Sequence, residues 1–211
     1  MKKPLRKVAP LTATNTPVAG QVATPPLMQG AGQMHLVKKL IKLDIGCGAH
    51  PQPGFVGIDV QNFNDDNIIR HNITKYPWPL PTGCVELAIA SHVAEHINPA
   101  DFGFIRWMNE VWRVMAPGGK FMMALPYAGT PGYWQDPTHI NPCTEHTWRY
   151  FDPLDSSGFY KFYRPAPWKY DQDMCTWDLQ GFMEVVLEKR LIDKSYDCAP
   201  GELGGIYDYE N

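Results

Sequence analysis

Beyond about residue 34 the apolar positions of the chain gather into short runs separated by glycine, proline and polar breaks. Residues 40–45 and 55–60 predict the first two strands, and residues 68–73 predict a weak third. Residues 85–91 form a mainly apolar run suited to a strand buried on both faces. Asn98 can cap the next helix, with Pro99 at its first position. Phe104, Met108, Val111 and Met115 then recur at helical spacing and give one buried stripe. Pro117-Gly118-Gly119 stops that helix, and residues 121–125 predict the fifth strand. From Pro126 to about residue 180 the pattern becomes an irregular, aromatic- and proline-rich insert, followed by a last strand over residues 182–192. Strands alternating with helices imply an α/β fold built on an open, mainly parallel sheet. Ligands of such sheets bind outside the carboxyl ends of the strands, where Asp44, Gly46, Asp59, Ser91, His92, Pro126 and Tyr127 all fall.

The densest chemistry lies between residues 41 and 60. The first strand ends in a turn holding Gly46, Cys47 and Gly48, and the second strand ends in Asp59. Glycine lets backbone approach a ligand closely, because no side chain intervenes and positive φ carries little penalty. An acid closing the second strand is placed to accept hydrogen bonds from both hydroxyls of a ribose. The pair describes a nucleoside pocket. A dinucleotide fold would follow the glycine turn with a helix and rest a pyrophosphate on its N-terminus. Here only residues 47–54 intervene, with Pro51 and Pro53 among them. A full crossover with its helix needs at least about 10–12 residues, so the first helix is truncated to about a turn or absent. Pro51 also replaces the third glycine of the dinucleotide fingerprint. A ligand with ribose but no phosphate fits better, and S-adenosylmethionine is such a ligand. A nicotinamide dehydrogenase is disfavoured on the same ground.

Asp44-Ile45-Gly46-Cys47-Gly48 resembles the first motif of the class I S-adenosylmethionine-dependent methyltransferases, with Asp59 at the end of their second strand. Ser91-His92-Val93-Ala94-Glu95-His96-Ile97 resembles the segment after the fourth strand in their type 11 group. Residues 110–119, from Glu110 to Gly119, resemble that group's fifth helix and the turn into the fifth strand. Asp136-Pro137-Thr138-His139 is similar to a segment of short bacterial and phage members. The resemblance covers roughly residues 38–127, with the motifs in order. It implies a Rossmann-like sheet and S-adenosylmethionine held by Asp44, Gly46, Cys47, Gly48, Asp59, Asn72, Ile73, Ser91 and His92. Asn72 stands where many relatives carry an acid near the adenine.

The sulfonium of such a cofactor already makes its methyl group electrophilic, so in-line positioning of an acceptor supplies much of the acceleration. A general base is needed only for an acceptor that holds a proton at neutral pH. His92 and His139 are the candidates put forward as catalytic, with Glu95, His96 and Tyr127 also within the same segments. The alternative reading of His92 and His96 is that they orient a loop, and of Glu95 that it satisfies free amides at a helix start. His139 either faces the transferred methyl or pins its own loop. The spacing of His139, Cys143 and His146 supplies zinc-ligand types, but a fourth ligand is lacking and no metal is expected. Trp107 and Trp112 read as core. Tyr133, Trp134, Trp148 and Tyr150 either cover the sheet or line an acceptor pocket.

Length and charge bound the picture. The chain has 211 residues and a formal net charge of −3, so one domain with a sizeable core is expected, without a large basic field to grip nucleic acid. Five scattered cysteines lack a paired spacing, which reads as a reduced, cytoplasmic chain. Neither a signal-peptide stretch nor a run of about 18 apolar residues is found, so no membrane partner is expected. Residues 1–34 read as a flexible tail preceding a single domain over 35–211. The methyl acceptor, a small molecule or a macromolecule, is not identified by the sequence. A rival from another class is a binding or scaffold module that keeps the nucleoside pocket without the chemistry.

Overall fold

In the computed structural model, residues 39–178 and 180–191 are described. The proposed tail and Ile192 lie outside them. Seven strands form one sheet: β1 (Ile41–Ile45), β2 (Val56–Asp59), β3 (Ile68–Arg70), β4 (Val85–Ser91), β5 (Met115–Pro126), β6 (Trp168–Trp177) and β7 (Phe182–Lys189). Their order is β3-β2-β1-β4-β5-β7-β6. The first five pair in parallel, while β7 runs antiparallel to both β5 and β6. This is the open, mainly parallel, Rossmann-like sheet expected. Chain direction across the sheet reverses between β1 and β4, the kind of switch point where such sheets open a crevice.

The helical layer is thin. No helix joins β1 to β2, as Pro51 and Pro53 required, and the connection is a series of turns. The long helix is α1 (Gly103–Val114). Phe104, Met108 and Val111 of its expected stripe are buried on it. Met115 is buried as well but has already left the helix, in extended backbone as the first residue of β5, so the helix ends before Pro117-Gly118-Gly119 and not at it. The helix starts later than Asn98 suggested. Asn98 Oδ1 accepts the Ala100 amide at 2.8 Å, but Asp101 and Phe102 then adopt left-handed backbone, with φ of 51° and 60°. That break separates a 3₁₀ turn, Ala100–Phe102, from α1. Trp107 is fully buried, whereas Trp112 is half-buried and donates its indole N–H to the Pro167 carbonyl at 2.9 Å.

The two faces of the sheet differ. On β5, Phe121, Met123 and Leu125 are buried, Phe121 against Trp107 of α1 and Trp168 of β6, while Met122 is 43% exposed. On β4 Leu87 and Ile89 are only half-buried, so the expected burial on both faces is not reached.

The insert carries more regular structure than its composition suggests. It holds α2 (Pro131–Trp134), two 3₁₀ segments at Thr147–Phe151 and Phe159–Phe162, and the whole of β6. Tyr133 and Trp148 are core residues and Trp134 is 70% exposed. The insert also explains why α1 is buried well beyond one stripe: Asn109 Oδ1 accepts the Ala166 amide at 2.8 Å. Glu110, fully buried, accepts the Trp78 amide and two bonds from Arg113, at 2.9 and 2.6 Å.

Candidate functional site

The carboxyl ends of β1 and β2 meet in a cradle of backbone and acid. Asp44, nearly buried, accepts the Gln52 amide at 2.9 Å and so fixes the far side of the glycine turn. Burial raises its pKa and that hydrogen bond lowers it, with burial the stronger effect. Gly46 has φ of 67°, and a Cβ there would lie 2.6 Å from Val93 Cγ2. Gly46 is therefore demanded by packing against the segment after β4 as well as by conformation. Gly48 also has positive φ, but a Cβ on it would meet nothing within 4 Å. The open space beside Gly48 is where a ligand can rest against bare backbone.

Asp59 closes the cradle. Its Oδ2 accepts the Gly48 amide at 3.0 Å and its Oδ1 accepts the Gln61 amide at 2.9 Å. A carboxylate oxygen has two lone-pair sites, so each oxygen keeps capacity for a hydroxyl donor. Cys47 is half-buried, with its thiol directed to the Gly48 carbonyl at 3.2 Å. Burial, then Asp44 and Asp59, push its pKa up to about 11, which keeps it a neutral thiol at physiological pH and not a nucleophile.

The remaining expected residues sit at the neighbouring strand ends. Asn72 is exposed, and its Oδ1 accepts the Thr74 amide and hydroxyl at 2.9 and 2.8 Å, so this atom is engaged in its own turn. Ile73 is half-buried against the core. Ser91 is the last residue of β4, paired with Ala124 of β5. His92 follows in left-handed backbone at φ 54°, with its amide on the Ala124 carbonyl at 2.8 Å.

The His92 ring is 52% exposed and its Nδ1 lies 3.1 Å from Glu95 Oε1. A carboxylate only accepts, so Nδ1 donates and Nε2 of the neutral ring carries the lone pair. Glu95 itself is fully buried, and its Oε2 has no hydrogen-bond partner. Its backbone carbonyl accepts the Ile140 and Asn141 amides at 2.9 and 3.0 Å. These bonds tie the insert to the 3₁₀ turn Ala94–His96, helped by Asn141 Nδ2 on the Ala94 carbonyl at 2.8 Å.

His139 is brought to the same place. Its Nδ1 lies 2.7 Å from the Tyr133 carbonyl, so its loop is pinned through the ring as one of the two readings required. The ring centroid of His96 is 4.9 Å away. Asp136 organises this loop, its Oδ1 accepting the Thr138 amide and hydroxyl at 2.8 and 2.7 Å. Those bonds hold its pKa below the usual carboxylate range. Cys143 and His146 do not complete a cluster with His139: among the described residues the converging ligand types are Glu95, His96 and His139. Cys143 is fully buried and burial, with Glu95 second, pushes its thiol up to about 12. This convergence was hidden in the sequence, because His96 and His139 are distant in the chain and meet only through the insert.

Apart from the strand ends, a cavity of about 470 Å³ opens beside the left-handed break before α1. Phe102, Phe104, Ile105, Tyr150, Phe151 and Tyr163 are among its lining residues, and none of the cradle residues is. Among the described residues no helix is long and apolar enough to cross a membrane.

No family model matches the chain, and neither does any curated protein sequence. Among solved structures it is similar to a SAM-dependent methyltransferase from Archaeoglobus fulgidus, at 16% identity and TM-score 0.49, over 72% of this chain and 87% of that one. It is also similar to an S-adenosylmethionine-dependent methyltransferase from Mesorhizobium loti, at 16% identity and TM-score 0.47, over 72% and 92% of the two chains. A third, a SAM-dependent methyltransferase from Aquifex aeolicus, is 15% identical with TM-score 0.45, over 72% and 84%. At these identities the likeness is one of fold.

Proposed function

We propose that the cradle at the carboxyl ends of β1 and β2 binds S-adenosylmethionine, and that the protein transfers its methyl group to an acceptor held between the segment after β4 and the insert. The observation that carries this reading is Asp59. Its carboxylate is held by the Gly48 and Gln61 amides beside the open space at Gly48, with no helix N-terminus in the first crossover to receive a phosphate. In this reading Asp59 accepts both ribose hydroxyls, Gly46 and Gly48 let backbone lie against the ligand, and Asp44 keeps the turn in shape. Asn72, Ile73, Ser91 and His92 flank the cradle.

The bound cofactor supplies a methyl group on a positively charged sulfur, which leaves as a neutral thioether. The chain's own residues must position the acceptor in line and take up its proton where it has one. His92 suits that task, since Glu95 orients the ring and its Nε2 can receive a proton. His139 is held through Nδ1 by the Tyr133 carbonyl, which leaves Nε2, with its lone pair, as the atom it can turn toward an acceptor.

Calorimetry on the full chain tests the cofactor. S-adenosylmethionine or S-adenosylhomocysteine should bind, with NAD at least about tenfold weaker, a difference of about 1.4 kcal/mol. Tighter binding of NAD would overturn the assignment. Release of S-adenosylhomocysteine in the presence of an acceptor separates an enzyme from a module that only binds.

A further inference from the structure

Three side chains outside the cradle converge. Glu95, His96 and His139 each offer one ligand atom, and these atoms lie within 4.8 Å of one another. The second observation is the carboxylate: Glu95 is fully buried and its Oε2 makes no hydrogen bond. A buried carboxylate oxygen left in that condition is costly unless a cation or donor meets it.

Both imidazoles are held in the orientation a metal ligand needs. His139 Nδ1 faces the Tyr133 carbonyl at 2.7 Å, which can only accept, so Nδ1 carries the proton and Nε2 the lone pair. His96 Nδ1 faces the Thr138 carbonyl at 3.2 Å, with the same consequence for its Nε2. Thr138 Oγ1, also 3.2 Å from that nitrogen, gives its proton to Asp136 and so accepts as well. Fixing a ring through Nδ1 on a backbone carbonyl is the usual way a protein aims Nε2 at an ion. Asp136 Oδ2 lies 3.8 Å from His139 Nε2, at the edge of the cluster. Glu95 Oε1 meanwhile stays on His92, leaving Oε2 as its ligand atom.

We propose that Glu95, His96 and His139 form a binding site for one divalent transition-metal ion, of the zinc or manganese type. Two imidazoles and one carboxylate suit such ions better than magnesium, which prefers oxygen ligands. Three protein ligands leave coordination positions for water or for an oxygen of another molecule. Resting on the methyl-transfer reading above, an ion here would take an acceptor hydroxyl as a ligand and lower its pKa. The hydroxyl proton would pass to His92 Nε2 while the oxygen forms its bond to the methyl carbon and that carbon's bond to the sulfonium sulfur breaks, releasing a neutral thioether. The metal site itself does not depend on that reading.

The test uses the full chain, stripped with chelator and dialysed, titrated with Zn²⁺ and with Mn²⁺ and analysed for bound metal. One ion per chain is expected, with Mg²⁺ binding at least tenfold weaker. His96→Ala and His139→Ala should each weaken binding at least tenfold, while His146→Ala leaves it unchanged. With Co²⁺ as probe, visible d–d absorption should appear in the native chain and be lost in His96→Ala. Should His139→Ala fail to fold, Glu95→Gln keeps the shape and the bond to His92 and should lose the ion. Absence of stoichiometric binding by the native chain overturns the proposal, as does undiminished binding in folded His96→Ala and Glu95→Gln. S-adenosylmethionine binding is measured separately, so failure of the cofactor reading and failure of the metal site remain distinguishable.

Discussion

Replacing Asp59 by alanine removes one carboxylate that does two jobs, and the structure separates their sizes. Toward the protein, the loss is of two acceptors, for the Gly48 amide at 3.0 Å and the Gln61 amide at 2.9 Å. Asp59 is only half-buried, so water can reach both amides, and the destabilisation should be about 1–2 kcal/mol. For a chain of this size that lowers Tm by roughly 2–8 °C. Toward the ligand, the loss is of two charge-assisted bonds to hydroxyls, each about 1.5–3 kcal/mol before water replaces them. Affinity for S-adenosylmethionine should therefore fall at least about tenfold, or about 1.4 kcal/mol. Asp59→Asn retains one acceptor oxygen and should fall between native and alanine. Calorimetry reads the affinity, and circular dichroism with a thermal melt confirms that the fold persists. An affinity within twofold of native in a folded Asp59→Ala protein would refute the ribose role.

Two further outcomes concern the core. Glu110→Ala leaves the Trp78 amide without its acceptor and takes the countercharge from Arg113, which keeps its bonds to the Thr82 hydroxyl and the Trp78 carbonyl. It should cost up to about 3–5 kcal/mol of stability in urea unfolding; a loss under about 1 kcal/mol would mean water takes its place. Lys189 donates to the Met115 carbonyl at 2.8 Å over the Trp112 ring, and burial, with Arg113 second, lowers its pKa to about 8. An unfolded lysine titrates near about 10.4, so between these values the unfolded chain holds the proton and the folded chain does not. Stability from this group therefore rises with pH from about 8 to 10.4. The urea midpoint of the native chain should climb relative to Lys189→Met over that window, and parallel pH profiles would refute it.

What could be read in the sequence is what local chemistry enforces. Strands β1 and β2 stood out because short apolar runs ending in glycine or acid have few other uses, and β4 because its run is mainly apolar. The missing helix after β1 was legible in Pro51 and Pro53. Strand β6 was not, because it lies at the sheet's edge and its middle is polar and exposed: Asp171, Gln172 and Asp173 interrupt the apolar pattern. Pairing with β7 also shifts register between Tyr170 and Cys175. At an edge, solvent covers one side, so alternation need not be kept. The convergence of Glu95, His96 and His139 was invisible for another reason: it depends on amides of Ile140 and Asn141 reaching the Glu95 carbonyl. The sharp turn made by Asp136 and Thr138 was the one local signal pointing there.

The insert leaves the sheet at Pro126, opposite Phe182, and returns at Trp168, opposite Lys189. It therefore runs the length of the sheet from one end to the other, taking the place of a crossover helix. The same segment that the proposed function sets beside the acceptor also buries α1 through Ala166 and Pro167. Change of acceptor during evolution would then be constrained in an unusual way. In most folds of this class, new specificity can come from lengthening or replacing a surface loop with little effect on folding. Here Tyr133, Trp148, Tyr160 and Trp168 are core residues of that loop, so exchanging it wholesale would unfold the protein. Divergence is left to the side chains that line the insert's open edge, such as Trp134 and Phe162, and a family drifting under that constraint would keep its framework while varying those few positions.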